Sequence, residues 1–220
     1  RSVTRDGNYS YNFTGSGVNA YIIDTGVRSD HREFGGRVVG GNTQIGDGRG
    51  TEDCNRHGTH VAGTVGGQTV GVAKAVTIIP IRVLSCTGRG SIFSVIAGIN
   101  WMIQDHTAGV PAVANLSLGG NRNTSLNSAV ANAVADGITM VVAAGNNRRD
   151  ASTISPASEP SAITVGATAS NDSRASFSNF GTLLDIFAPG VSSVSAGHRS
   201  STETIMLSGT SMAAPHVAGA

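Results

Sequence analysis

Five short runs of apolar, mostly β-branched residues punctuate the chain: VNAYIID over 18–24, VTIIPIRVL over 76–84, VANLSL over 113–118, ITMVVAAG over 138–145 and AITVGA over 162–167. Near-continuous apolar runs of this kind suit strands buried on both faces, as in a parallel sheet. Between them the period changes. In SIFSVIAGINWMIQDH, Ile92, Val95, Ile96, Ile99, Met102 and Ile103 share one helical stripe, with Ser91 as the expected N-cap. In SLNSAVANAVADG, Leu126, Val130, Ala133 and Val134 do the same, and Gly137 fits the end of the helix. HGTHVAGTVGG is small and apolar all round, which predicts a buried helix. Strands alternating with helices predict an α/β fold with a mostly parallel central sheet flanked by helices. In such sheets active sites lie beyond the carboxyl ends of the strands. That directs attention to Asp24, to Ser117–Gly119 and to Asn146.

Composition narrows the class. The chain has 220 residues, 39% of them hydrophobic, enough for the core of one domain. Only 13% are charged while Gly numbers 30, which indicates tight turns and close backbone approach rather than disorder. The net charge is +1 with no basic cluster, so the electrostatic footprint of a nucleic-acid binder is missing. No apolar stretch approaches the roughly 18 residues of a membrane span. The start at Arg1, in polar sequence without an initiator Met, predicts release from a longer precursor. Cys54 and Cys86 are the only cysteines; by themselves they allow one bridge, two buried thiols or part of a metal site.

Four motifs carry candidate chemistry. GSGVNA, over 15–20, has the glycines of a dinucleotide site but precedes its strand, where a phosphate loop must follow one and open a helix. A turn explains it better. GTSMA, over 209–213, is close to the G-x-S-x-G nucleophile elbow. In that fold an acid and a histidine follow the serine, and here only His216 does, with no acid. CNRHGTH places Cys54, His57 and His60 three residues apart, a spacing zinc could use with Cys86; the Glu of a H-E-x-x-H site is absent. The fourth is a constellation. Asp24 ends the strand YIID, His57 opens a helix and Ser211 opens another. A serine hydroxyl needs a base to take its proton, and the base needs an acid to fix its tautomer and offset its charge. Asn146, in AAGN, could donate to a developing oxyanion.

Singly these residues have structural explanations: a strand-end Asp often caps a turn. Together, in AYIIDTGV, HGTHVAGT, AAGN and GTSMAAPHVAG, they resemble the signatures of the subtilisin-like serine proteases in the family order. The segments NLSLGG, STISPASEPSAITVGA, FSNFG and LDIFAPG are similar to the proteinase K-like branch. The resemblance spans nearly the whole chain. It implies the three-layer subtilisin-like α/β fold, as a single catalytic domain over 1–220 cut short at both ends.

By resemblance Ser211 is the nucleophile, His57 the general acid/base, Asp24 its orienting partner and Asn146 the oxyanion donor, with the Ser211 N–H. His60 and His216 become packing residues. Leu116, Ser117, Leu118 and Gly119 would form one substrate-pairing edge strand and Gly88, Arg89, Gly90 and Ser91 the other. Ala143, Ala144 and Gly145 with Gly119 would line an S1 pocket suited to apolar or aromatic P1 residues, with no sharp charge preference. Cys54 and Cys86 stand where several bacterial members of the branch carry a disulfide, which implies an oxidising, extracellular setting. Pro160, Ala162 and Asp185 match a structural calcium site of two carbonyls and one carboxylate. Asp47, Glu52 and Asp53 read as a solvated acidic loop. Of the sequons at Asn12, Asn115, Asn123 and Asn171, Asn115 adjoins the substrate strand, which argues against a glycan there.

The implied protein is a secreted, monomeric endopeptidase of broad specificity. It would be made as a zymogen with an N-terminal pro-peptide, would act on peptide and protein substrates, and would use neither membrane nor nucleic acid. The competing reading is a catalytically silent binding protein, or an inactive fragment, on the same fold; intact Asp24, His57, Asn146 and Ser211 weigh against it. Two positions depart from the family pattern. Arg56 precedes His57 where a small residue is usual, and its charge should lower the His57 pKa. Arg89 stands between the glycines of a substrate strand and should favour acidic residues at P2 or P4.

Overall fold

The computed structural model describes residues 9–220. In chain order the elements are β1 (Asn19–Asp24), β2 (Asn42–Thr43), α1 (His57–Gly66), β3 (Thr77–Arg82), α2 (Ile92–Asp105), β4 (Ala112–Leu116), β5 (Gly120–Asn121), α3 (Thr124–Ala135), β6 (Thr139–Ala143), β7 (Ile154–Ser155), β8 (Ile163–Thr168), β9 (Ile186–Pro189), β10 (Ser193–Ala196), β11 (Thr204–Leu207) and α4 (Thr210–Ala218). Seven strands form one sheet in the order β2-β3-β1-β4-β6-β8-β9, and every neighbouring pair in it is parallel. Two short antiparallel pairs, β5 with β7 and β10 with β11, lie outside it.

The apolar runs are continuous because both faces are covered. Tyr21 and Ile23 of β1 and Met140 and Val142 of β6 join Val95, Ile99 and Met102 of α2 and Leu126, Val130 and Ala133 of α3. The alternate residues Ala20 and Ile22 face Val61, Ala62 and Val65 of α1. Val141 and Ala143 face Ala213 and Ala214 of α4. Layers of helix, sheet and helix follow, with α1 and α4 on one side and α2 and α3 on the other. Burying one such side chain is worth about 1.5–3 kcal/mol, so a register slip that turned these residues outward would be prohibitive.

Local signals sit where the sequence puts them. Ser91 caps α2 through its hydroxyl, which accepts the Ser94 N–H at 3.0 Å. Asn123, one of the sequon residues, caps α3 by accepting the Leu126 N–H at 2.9 Å. Gly137 follows α3 at φ 98°, a conformation that favours glycine, and its N–H bonds the Val134 carbonyl while Ile138 bonds that of Ala133. Two expectations change. β4 ends at Leu116, so Ser117, Leu118 and Gly119 are not strand residues. Gly88–Ser91 also forms no strand; a turn in which Ser85 bonds the Arg89 carbonyl precedes α2. Continuing the register sets Ser117 level with Asp24 and Ala143, the last residues of β1 and β6, so Leu118 and Gly119 have no strand beside them. β9, β10 and β11 are too short and too exposed to have announced themselves in the pattern.

Cys54 and Cys86 are joined in a disulfide, across a sequence separation of 32. Neither sulfur is therefore a thiolate ligand, and the zinc arrangement is ruled out. The bridge packs on the Arg82 guanidinium, whose side chain is wholly buried and paired with Asp47 at 2.6 Å. Hydrogen bonds from Arg82 hold the Asp47 carboxyl down to about 2. A loop of this length predicts that the double substitution Cys54→Ser, Cys86→Ser costs about 3–4 kcal/mol, read as a lower urea midpoint at unchanged m.

Candidate active site

The sheet order reverses direction at β1, with β3 on one side and β4 on the other. This topological switch point opens a crevice at the carboxyl ends of the strands. Asp24 ends β1 there, wholly buried. Its Oδ1 accepts the Thr25 N–H at 2.7 Å, and its two oxygens lie 2.8 and 2.9 Å from His57 Nδ1. A nitrogen facing a carboxylate carries the proton, so Nε2 is left as the free basic position.

His57 begins α1, and the start of that helix is organised by Asp53. Asp53 Oδ1 accepts the N–H groups of Asn55 and Arg56 at 2.8 and 3.1 Å. Its Oδ2 accepts the Thr59 N–H at 3.0 Å and the Thr59 hydroxyl at 2.6 Å. The Thr25 hydroxyl links the two sides, donating to Asp53 at 2.9 Å and accepting the Gly58 N–H at 2.9 Å. Asp53 is thus no solvated loop residue. The legible signal was its position just ahead of a helix start, where a carboxylate can satisfy free N–H groups. Burial pushes the His57 imidazole down, but the charge and hydrogen bond of Asp24, helped by Asp53, outweigh it and raise the pKa above its ordinary value; Arg56 pulls it back down. His60 is buried and bonds the Ser193 carbonyl at 2.9 Å; burial lowers it to about 4, so it stays neutral. His216 bonds the Met212 carbonyl of its own helix at 2.8 Å.

Ser211 is the second residue of α4, where a helix leaves backbone N–H groups without an internal partner. Its hydroxyl donates to the Ser117 carbonyl at 3.1 Å, and the Ser117 hydroxyl donates to the Ser211 carbonyl at 2.7 Å. The first turn of α4 is therefore tied to the end of β4. Asn146 is fixed through the neighbouring Thr210. Its Oδ1 accepts the Thr210 N–H at 2.8 Å and the Thr210 hydroxyl at 3.0 Å, so the oxygen is assigned and the amide NH2 is free to donate.

Two clefts meet at these residues. One of about 620 Å³ is lined by His57, by Gly88, Arg89, Gly90 and Ser91 on one side, and by Ser117, Leu118 and Gly119 on the other. The second, of about 280 Å³, is lined by Gly119, Ala143, Gly145, Asn146, Ile154 and Ser211, and also by Arg149. Ala144 and Leu116 line neither cleft. Ala144 is held behind the pocket by Asn179, which donates to its carbonyl at 2.8 Å. Sequence reasoning passed over Arg149 and Ile154.

At the far end of the sheet Asp185 precedes β9. Its Oδ2 accepts the Thr164 N–H at 2.8 Å, while the carbonyls of Pro160 and Ala162 accept no backbone hydrogen bond among the described residues. The Asp185 carboxylate and the carbonyls of Pro160 and Ala162 are all oxygen donors, the ligand type that a hard cation takes.

The chain belongs to the subtilase family, whose model matches residues 15–220. It is 57% identical to the extracellular serine proteinase of Thermus sp. (strain Rt41A), over 100% of this chain and 53% of that protein. It is 52% identical to alkaline serine exoprotease A of Vibrio alginolyticus, over 100% of this chain and 40% of that protein. A crystal structure of a cold-adapted subtilisin-like serine proteinase superposes with a TM-score of 0.95 at 51% identity, covering 100% of this chain and 79% of that one. The fold is therefore the subtilisin-like one. The chain spans about half the length of the curated relatives it matches.

Arg56 has φ 101°, a backbone conformation that an L side chain adopts only under strain. Arg56→Gly is expected to raise stability by about 1 kcal/mol, strain relief exceeding the added entropy of the unfolded glycine. It also removes a cation that depresses His57, so the His57 ring protons should titrate at higher pH by NMR.

Proposed function

We propose that this chain carries the hydrolytic site of a secreted serine endopeptidase. The observation that carries the reading is the pairing of buried Asp24 with His57, at the same strand ends as Ser211 and the free amide of Asn146. In this reading His57 Nε2 removes the Ser211 proton as Oγ bonds to the scissile carbonyl carbon. The new oxyanion takes hydrogen bonds from Asn146 Nδ2 and the Ser211 N–H. Collapse breaks the C–N bond, and His57 returns the proton to the departing amine. Water then repeats the cycle on the acyl-enzyme. Asp24 keeps the imidazole in the required tautomer and offsets its positive charge.

Segments 117–119 and 88–91 pair with no strand and line the larger cleft on opposite sides, which suits an extended peptide laid between them. Gly119, Ala143, Gly145 and Ile154 give the smaller pocket walls that accept apolar or aromatic P1 side chains. Arg89, in the larger cleft, favours acidic residues at P2 or P4. The disulfide and the extracellular naming of a relative support export, in which a pro-peptide would precede the mature chain. The competing reading, a silent binding protein, draws on the Ser211 hydroxyl pointing at Ser117. A fluorophosphonate probe separates the two: labelling of this chain, lost in Ser211→Ala, is the expected result, and no labelling would favour the silent protein.

Asp185, Pro160 and Ala162 would hold a structural calcium ion. At about a hundredfold excess over Kd, calcium should raise Tm by roughly 5–10 °C. Scanning calorimetry with calcium and with a chelator is the check. Asp185→Asn should melt low in both.

A further inference from the structure

Resting on the protease reading, we infer that Arg149 makes the S1 pocket discriminate among charged P1 residues, favouring glutamate over lysine beside the apolar and aromatic residues that its walls accept. Among the described residues Arg149 is the only ionisable side chain lining the smaller cleft, and none of those lining either cleft is a carboxylate. Its backbone is pinned on both sides. The N–H donates to Asn179 Oδ1 at 3.1 Å, and its carbonyl accepts the Phe180 N–H at 3.1 Å. Asn179 is itself wholly buried and bonds the Ala144 carbonyl behind the pocket, so the base of the arginine sits on a fixed support.

The guanidinium, in contrast, makes no ion pair and no hydrogen bond with any described residue. The adjacent acid, Asp150, bonds the Ser152 N–H at 2.9 Å instead. Arg174, on the segment whose Phe180 N–H bonds the Arg149 carbonyl, is engaged by the Ser178 carbonyl and by the Phe180 ring. A free guanidinium at the edge of an otherwise uncharged pocket is a fork-shaped donor for a carboxylate. Glycine and alanine walls leave a long side chain room to reach it, and the same charge repels a P1 ammonium. Because Arg149 is exposed, the effect is screened by solvent and must weaken with salt.

The test is kcat/KM for three tetrapeptide p-nitroanilides with P1 Glu, Lys or Phe, uncharged at P2–P4 so that Arg89 does not contribute. The Glu-to-Lys ratio should be roughly tenfold at low salt, attraction and repulsion together, and should narrow at about 0.5 M salt. Arg149→Ala should bring the ratio close to one. Arg148→Ala makes the same change in net charge at an exposed residue outside both clefts, and should leave the ratio as it was. Hydrolysis of the Phe substrate with a ratio that Arg149→Ala does not move, or that Arg148→Ala moves equally, overturns this inference and leaves the protease reading intact. No hydrolysis of any of the three overturns the protease reading, and this inference with it.

Discussion

A carboxylate with no exposure to water stands at the end of the central strand. Burying such a charge unpaired costs several kcal/mol, so Asp24 constrains everything around it. It is satisfied by the Thr25 N–H and by His57 Nδ1. The second partner requires α1 to start at one residue and in one orientation. The Asp53 cluster supplies that start, and the left-handed backbone at Arg56 is its local cost. The helix can lie close to its neighbours because its glycines allow it. A Cβ on Gly63 would fall 2.4 Å from Ser195 Oγ, and one on Gly66 would fall 2.6 Å from Val76.

The serine side of the crevice is built by a different device. α4 packs small residues, Ala213 and Ala214, against β6 and β8, and its amino end points at the strand ends. Serine at that end gains free backbone donors and the positive end of the helix dipole. Ser117 and Thr210 then tie the helix to β4 and to Asn146, so that helix and loop cannot drift apart independently. The same bonds account for the orientation of the Ser211 hydroxyl, which is turned to the Ser117 carbonyl in the structure.

Charge in this molecule divides into paired and unpaired cations. Arg82 is buried with Asp47 against the disulfide, where it holds the loop behind the larger cleft. Arg28 is paired with Asp30 at 2.6 Å and bonds the His198 carbonyl. Arg89 and Arg149 face the clefts without such partners among the described residues. Structural arginines and cleft arginines are indistinguishable in composition, and only their neighbours tell them apart.

The sequence by itself determined the parallel sheet, because strands covered on both faces must be apolar at consecutive positions, as in YIID and TIIPI. It also determined the helical stripes of α2 and α3 and their caps, which depend on residues within one or two turns. Asp24, His57, Asn146 and Ser211 were legible because each lies in a distinctive local run. What needed the tertiary structure was whatever depends on contacts distant in sequence. Asp53 looked like a loop acid until Thr25, from 28 residues away, was found bonded to it. Ser117–Gly119 looked like strand because its residues suit one, but β1 and β6 end level with Ser117 and leave Leu118 and Gly119 without a strand on either side. Arg149 carries no signal in the chain at all. Its place in the pocket is fixed by Asn179, a partner 30 residues on, and local pattern cannot encode a contact between segments that meet only after the sheet has formed.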